Sequence, residues 1–456
     1  MTNSRTLRHE LARTLAIAAP LTLASLLSMG IAITDVLMMA WLGTAELAAG
    51  AAVSDFYSIV FYLGGGVIGA LSALLAECRG AGREREVAGW IGQSFQLALL
   101  LTLPCALLIS LSPRLLAQIG AEPAIVDAAS DYAPMMALTC ALLLLVRVWH
   151  QCFAAWEQTR VILGGMLLSL PLNALGNYGL MYGRWGLPEM GLAGIGLSSA
   201  LCAAVLLVWL SLMAHRASWY RPVGRALLQV HRARLQKLLR LGLPIGMTSL
   251  GETGIFLLAT LLIAGFGIDQ LAAHTLTLRL AGVLYAVPLG LAQAATVRAG
   301  LALGAGDSGR MHRVLRVQLW LALLWGLPLA LLLAGGRESL IIWLLPQAER
   351  GLPLFEIAAA LLLLLAVAQP ADSLATQTTG YLRGLQDTQR PMQLILVSHW
   401  LLAFPLALLL GYGAGLGAIG IWLGLGTGIL LASTALLLRL RQQLKRPWVG
   451  TTLAAR

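Results

Sequence analysis

The sequence predicts an all-α polytopic membrane protein: twelve transmembrane helices in two six-helix lobes related by pseudo-two-fold symmetry along the membrane normal. Three observations predict it: an apolar composition, long apolar stretches along the whole chain, and an internal repeat. Of 456 residues, 59% are hydrophobic and 11% charged, against roughly a quarter charged in a soluble protein. A spanning helix needs about 20 mostly apolar residues. Twelve of these, with short connections, use nearly the whole chain and leave no soluble domain of useful size.

Helices are expected at approximately 13–41, 45–77, 88–112, 125–155, 160–183, 190–214, 238–266, 270–303, 314–334, 353–382, 391–412 and 417–438. The first apolar stretch, Leu15 to Leu42, is too long for the core of a cleavable signal and ends in no clear small-residue cleavage site. The mature protein is therefore expected to begin at or near Met1. Cys78, Cys105, Cys140, Cys152 and Cys202 form no CxxC pair and lie within or at the ends of apolar segments, which makes them small packing residues.

The net charge of +11 could suggest nucleic acid, but its distribution argues otherwise. Of the 31 Lys and Arg, 24 fall in the N-terminal tail, the even-numbered connections and the C-terminal tail, or within three residues of them at the bordering helix ends. Only Arg114, Arg184, Arg337 and Arg350 fall in odd connections, and Arg147, Arg279 and Arg298 lie inside helices. Cytoplasmic loops of membrane proteins carry this excess of positive charge, so both termini are expected in the cytoplasm. The basic run from Arg216 to Arg240 then lies on anionic lipid headgroups. Membrane lipid is the expected macroscopic partner, and nucleic acid is not.

The repeat sets the domain organisation. A shift of 224 residues places Leu42-Gly-Thr-Ala-Glu-Leu-Ala-Ala49 on Phe266-Gly-Ile-Asp-Gln-Leu-Ala-Ala273. Without a gap it also places Pro20 on Pro244, Gly66 on Gly290 and Gly80-Ala-Gly82 on Gly304-Ala-Gly306. A shift of 226 places Gly191-Leu-Ala-Gly-Ile195 on Gly417-Ala-Ile-Gly-Ile421. The expected division is an N-lobe over 1–215, a basic linker over 216–237 and a C-lobe over 238–456. Six helices per half means both halves enter and leave on one side, and parallel repeats of this kind are a transporter signature.

An ionisable residue in hydrocarbon costs at least ~2.5–3.5 kcal/mol on insertion scales, so each one is a candidate functional group. Asp35 lies deep in the first helix, Glu252 about four turns into the seventh, and Asp372 two residues after Pro370 in the tenth. None has a cationic partner within one turn of its own helix; Arg147, Arg279 or Arg298 could neutralise them from another helix. Cavity-facing carboxylates can bind and release a proton near neutral pH, or give oxygen ligands to sodium. Either use couples an inward ion gradient to export, and the same negative field suits a lipophilic cation.

Weaker signals are discounted. Gly64-Gly-Gly66-Val-Ile-Gly69 matches GxGxxG but lies inside a helix with no preceding strand, which reads as close helix packing. His150, His274 and His399 lack metal-ligand spacing and read as hydrogen-bonding groups. Asp55 and Glu356 lie near helix ends, within reach of water. No HExxH, GxSxG or paired-aspartate motif suggests an enzyme, and no cofactor is expected.

Two passages and the set of acids then resemble the multidrug and toxic compound extrusion (MATE) transporters of the NorM type. The passages are Pro171-Leu-Asn-Ala-Leu-Gly-Asn-Tyr178, continuing through Tyr182 to Gly196, and Gly380-Tyr-Leu-Arg-Gly-Leu-Gln-Asp-Thr-Gln-Arg-Pro-Met392. The resemblance covers essentially the full chain. It implies export of drugs, dyes and other cations in exchange for Na+ or H+, by alternating access of two lobes in a bacterial cytoplasmic membrane. It implies coupling residues Asp35, Asn173, Asn177 and Ser199 in the N-lobe, with Ser199 where relatives often carry threonine. In the C-lobe it implies Glu252 and Asp372, the expected site of any Na+, with Tyr285 contacting the cation; a cation over a tyrosine face is physically sensible. Interhelical hydrogen bonding is the other role open to Asn173 and Asn177. A monomer suffices for this reading. The rival within the wider superfamily, a flippase of lipid-linked oligosaccharides, would want several intramembrane Arg or Lys for pyrophosphate.

Overall fold

The computed structural model describes residues 2–220, 224, 226, 229–344 and 352–445. All regular structure among them is helical. The long helices are α1 Thr2–Leu42, α2 Thr44–Gly80, α3 Glu84–Ser110, α4 Pro123–Ala155, α5 Thr159–Met181 and α6 Gly191–Arg216 in the first half. The second half holds α7 Arg232–Ala264, α8 Ile268–Gly304, α9 Ser308–Leu344, α10 Pro353–Gly384, α11 Gln389–Gly413 and α12 Gly417–Leu444. Each is long and apolar enough to cross a membrane, α3 being prolonged by the short helix Ser112–Gln118. The chain is a multi-pass membrane protein.

All twelve expected helices are present, and several run further than their apolar stretches. α7 begins at Arg232 inside the basic run, α9 reaches Leu344, and α10 ends at Gly384. Apolar residues mark only the part of a helix that lies in hydrocarbon. The backbone goes on satisfying its own hydrogen bonds beyond that level, where Lys and Arg extend their stems along the surface. Of the basic linker, residues 221–223, 225, 227 and 228 lie outside the described residues. Its far end is fixed: Gln93 donates to the Gln229 carbonyl at 2.6 Å and accepts from the His231 amide at 3.0 Å, and Arg234 and Lys237 lie over the Trp90 ring.

The repeat is visible in the backbone. Gly82 and Gly306, aligned by the 224-residue shift, follow α2 and α8 with φ of 67° and 64°, a left-handed turn that glycine adopts without steric cost. The turns after α4 and α10 use non-glycine residues instead, Glu157 and Gln386, both at φ 61°.

Two compact units account for the packing, one Ala19–Gly246 and the other Met247–Arg456 together with Met1–Ala18. Each boundary falls inside a long helix beside a proline, Pro20 in α1 and Pro244 in α7, where the missing N–H interrupts the helical hydrogen-bond ladder. In the first unit α4 is central and packs on α2, α3 and α6; in the second α10 is central and packs on α8, α9 and α12. The first core is built on Leu71, Leu74, Leu75, Ile91, Leu144 and Phe153. Within it α2 meets α7 backbone to backbone: a Cβ on Gly66 would lie 2.5 Å from Gly246 Cα. Of the glycine run in α2, Gly66 serves this close approach, while Gly64 packs against Leu144.

The second unit holds a sealed ion pair. Arg298 on α8 donates from Nε and one terminal nitrogen to the two Glu10 oxygens at 2.6 and 2.7 Å, both side chains being 5% exposed. Removing one member of a buried pair strands the other charge, at a cost of about 3–5 kcal/mol. Arg298→Met and Glu10→Leu should each lower the melting temperature in detergent by several degrees, and combining them should recover most of the loss. Melting unchanged in both single variants would show that the pair does not hold the start of α1.

Candidate functional site

In the unit Ala19–Gly246, three helices converge on one carboxylate. α1 supplies Asp35, α5 supplies Asn173 and Asn177 one turn apart on a single face, and α6 supplies Ser199. Asn177 Nδ2 donates to Asp35 Oδ1 at 2.7 Å and Asn173 Nδ2 to the same oxygen at 3.1 Å. The Ser199 hydroxyl donates to Oδ2 at 3.3 Å. Ser198 donates to the Asn173 carbonyl at 3.2 Å, tying α6 to α5 where the site is built. Both asparagines are buried, while Asp35 is half-buried. Amides cannot give up their hydrogens at ordinary pH, so these two orient the carboxylate rather than trade protons with it. Asn177 Oδ1 is buried without a partner, an oxygen left over beside the acid. The pocket therefore offers a small cation several oxygens, or a proton one carboxylate.

In the other unit, α7, α8 and α10 bring together Glu252, Tyr285 and Asp372. The two carboxylates lie within electrostatic reach of each other and of the Tyr285 hydroxyl. Tyr285 and Thr376 share a hydrogen bond through their hydroxyls. α10 is placed by α9, whose Gly326 leaves room for the Pro370 backbone: a Cβ there would lie 2.7 Å from Pro370 Cα. All seven residues singled out in the sequence thus fall into two clusters, four in one unit and three in the other. Among the described residues no three His, Cys, Asp or Glu side chains gather to hold a metal ion. A cation here would be held by the two carboxylates together with neutral oxygens.

Arg383 was missed. A helix ending at 382 puts it in a connection, whereas α10 continues to Gly384 and Arg383 is half-buried inside the unit. Its guanidinium lies within electrostatic reach of Glu252 and Tyr285, and its Nε is sealed from solvent without a hydrogen-bond partner. A signal was present: Asp372, Thr376, Thr379 and Arg383 follow the i, i+4, i+7, i+11 spacing of one helix face. Of the arginines considered as partners for the acids, Arg298 is engaged by Glu10 and Arg279 is exposed. His274 is engaged on both nitrogens: Trp422 Nε1 donates to Nδ1 at 3.0 Å, and Nε2 lies 2.8 Å from the Thr260 hydroxyl. Because Nδ1 accepts, Nε2 carries the hydrogen, and the ring is a neutral structural bridge between α7, α8 and α12.

The MatE family model matches twice, over residues 20–179 and 244–409. The chain belongs to the MatE family. The two matches begin 224 residues apart, the spacing of the repeat. Among MatE relatives, a "Probable multidrug resistance protein NorM" of Synechococcus sp. is 34% identical over 445 residues, covering 96% of this chain and 95% of that protein. A "Multidrug resistance protein NorM" of Burkholderia vietnamiensis is 32% identical, covering 94% and 93%. Among solved structures, the eukaryotic MATE transporter AtDTX14 superimposes with a TM-score of 0.84 at 19% identity, covering 97% of both chains. The Vibrio cholerae MATE transporter VcmN in its bent form gives 0.86 at 17% identity, covering 96% of this chain and 98% of that one. At these identities the structures establish the MatE fold alone.

Proposed function

We propose that this protein is a secondary active antiporter that exports lipophilic cationic drugs and dyes in exchange for Na+ or H+. The observation that carries the reading is the Glu252–Asp372 pair, two carboxylates set within reach of each other inside a membrane-spanning unit. Such an arrangement costs free energy unless a cation or proton neutralises it in part of the cycle. A bound cation screens the repulsion between the acids, and its release restores it. The free energy of the ion gradient thereby enters the protein at this point. Asp35 offers a second exchange site in the other unit, dressed by three donors that hold it in place when it is charged. The names of the NorM relatives favour drugs as cargo. Alternating exposure of the sites to the two sides of a bacterial cytoplasmic membrane, with both termini in the cytoplasm, completes the reading. A flippase for lipid-linked pyrophosphates is less well supported, since acids rather than arginines dominate both clusters.

The test is transport by the purified protein in liposomes, with Na+ and pH gradients imposed one at a time. Dye should move when at least one ion gradient runs opposite to it and should stop when that gradient is collapsed. Dye flux indifferent to both gradients would overturn antiport.

A further inference from the structure

We propose that Arg383 is a fixed positive plug at the end of a polar line on α10. It keeps the coupling ion at Glu252 and Asp372 from passing straight through the unit. The proposal rests on the antiport reading and adds the residue that makes the ion site blind on one side.

The line begins at Asp372 and ends at Arg383 eleven residues later, about 16 Å at the rise of an α-helix. Thr376, between them, is tied to Tyr285. Thr379 Oγ1 and Arg383 Nε, further on, are both sealed from solvent without partners. Polar atoms buried without partners cost free energy and call for an explanation. Their place, on the face of α10 that carries Asp372, gives one: they line the continuation of the ion site toward the Gly384 end. In the antiport reading that end faces the cytoplasm. A guanidinium there stays charged at all accessible pH values. A cation leaving Glu252 in that direction meets a permanent like charge and is turned back, so it moves onward only when the transporter changes conformation.

Arg383 is held rigidly enough to do this. α10 is pressed on α8 on either side of it: a Cβ on Gly380 would run into the Ala292 carbonyl, and one on Gly384 would lie 2.5 Å from the Thr296 carbonyl oxygen. The Thr296 hydroxyl donates to the Gly380 carbonyl at 2.8 Å and pins the seam. The charge at this position is not repeated in the first half, whose half-buried Arg147 lies elsewhere on α4. Aligning the matched turns at Glu157 and Gln386 places Arg383 on Ala154. The two halves therefore differ at this position in a fixed positive charge.

The experiment is ion flux in proteoliposomes without drug, followed with radioactive Na+ and with a trapped pH dye, alongside gradient-driven dye transport in the same preparation. Arg383→Gln should raise the drug-independent leak of the coupling ion by about tenfold, the change a lost barrier of ~1.4 kcal/mol gives. It should also lower the dye moved per ion, and Arg383→Lys should restore tightness. Arg383→Met, which keeps the apolar stem, carries the test where the glutamine variant folds poorly. Leak and coupling at wild-type levels in Arg383→Gln or Arg383→Met, with the wild type coupled, would overturn the plug. A wild type that never couples dye to ions would instead overturn the antiport reading.

Discussion

Asp372→Asn and Glu252→Gln are each expected to abolish gradient-driven dye efflux, or reduce it to a small residue, while expression and melting stay near wild type. Both substitutions keep the shape of the side chain and remove its charge. Each also removes one of two like charges held within electrostatic reach of each other, and that lost repulsion offsets, at Glu252, the lost attraction of the Arg383 guanidinium. The cation site fares differently. Two carboxylates facing a monovalent ion attract it through a medium of low effective dielectric, and halving that charge forfeits several kcal/mol of attraction on the Coulomb scale. The check is efflux together with Na+-dependent protection against thermal unfolding. If both neutral variants pump dye at wild-type rates, the acids of this unit are not the coupling site.

Asp35→Asn is expected to remove transport with the fold intact, and Asp35→Ala to remove transport and weaken the fold. An asparagine at 35 still presents one oxygen to the Nδ2 donors of Asn173 and Asn177, which meet Oδ1 in the native site. It can also turn its amide toward a lone pair of Ser199. What it cannot do is exchange a proton or neutralise a cation. Alanine removes the carboxylate acceptor and leaves Asn173 Nδ2 only the Ser199 oxygen at 3.3 Å and Asn177 Nδ2 only the Asn173 oxygen at 3.4 Å, at about 1–3 kcal/mol for each group left unsatisfied. The alanine variant should therefore melt lower than the asparagine one by several degrees. Normal transport by Asp35→Asn beside a poorly folded Asp35→Ala would assign the carboxylate a purely structural role.

These two experiments rest on residues that stand out in the sequence, because a charge in an apolar run is conspicuous in one dimension. The twelve helices are legible for the same reason. The asparagines and Ser199 are ordinary helix residues, and only their likeness to known transporters drew attention to them. Arg383 was lost for a physical reason: hydropathy ends α10 where apolar residues stop, but the helix and its burial continue for two more residues. The Glu10 partner of Arg298 was equally hidden, 288 positions away in sequence and outside the apolar part of α1. No periodicity reports a contact of that range. The halves of the repeat were legible as sequence, while the units of packing cut through two helices and could be seen only in three dimensions.

That last feature bears on how far each half-sequence can stand alone. The unit built on Met247–Arg456 takes in the opening residues Met1–Ala18, and the unit Ala19–Gly246 takes in the opening part of α7. Each half-sequence thus lends its first arm to the packing of the other. Neither half expressed separately carries a full set of its own packing partners, so co-expression rather than isolation is the condition under which the halves should reassemble.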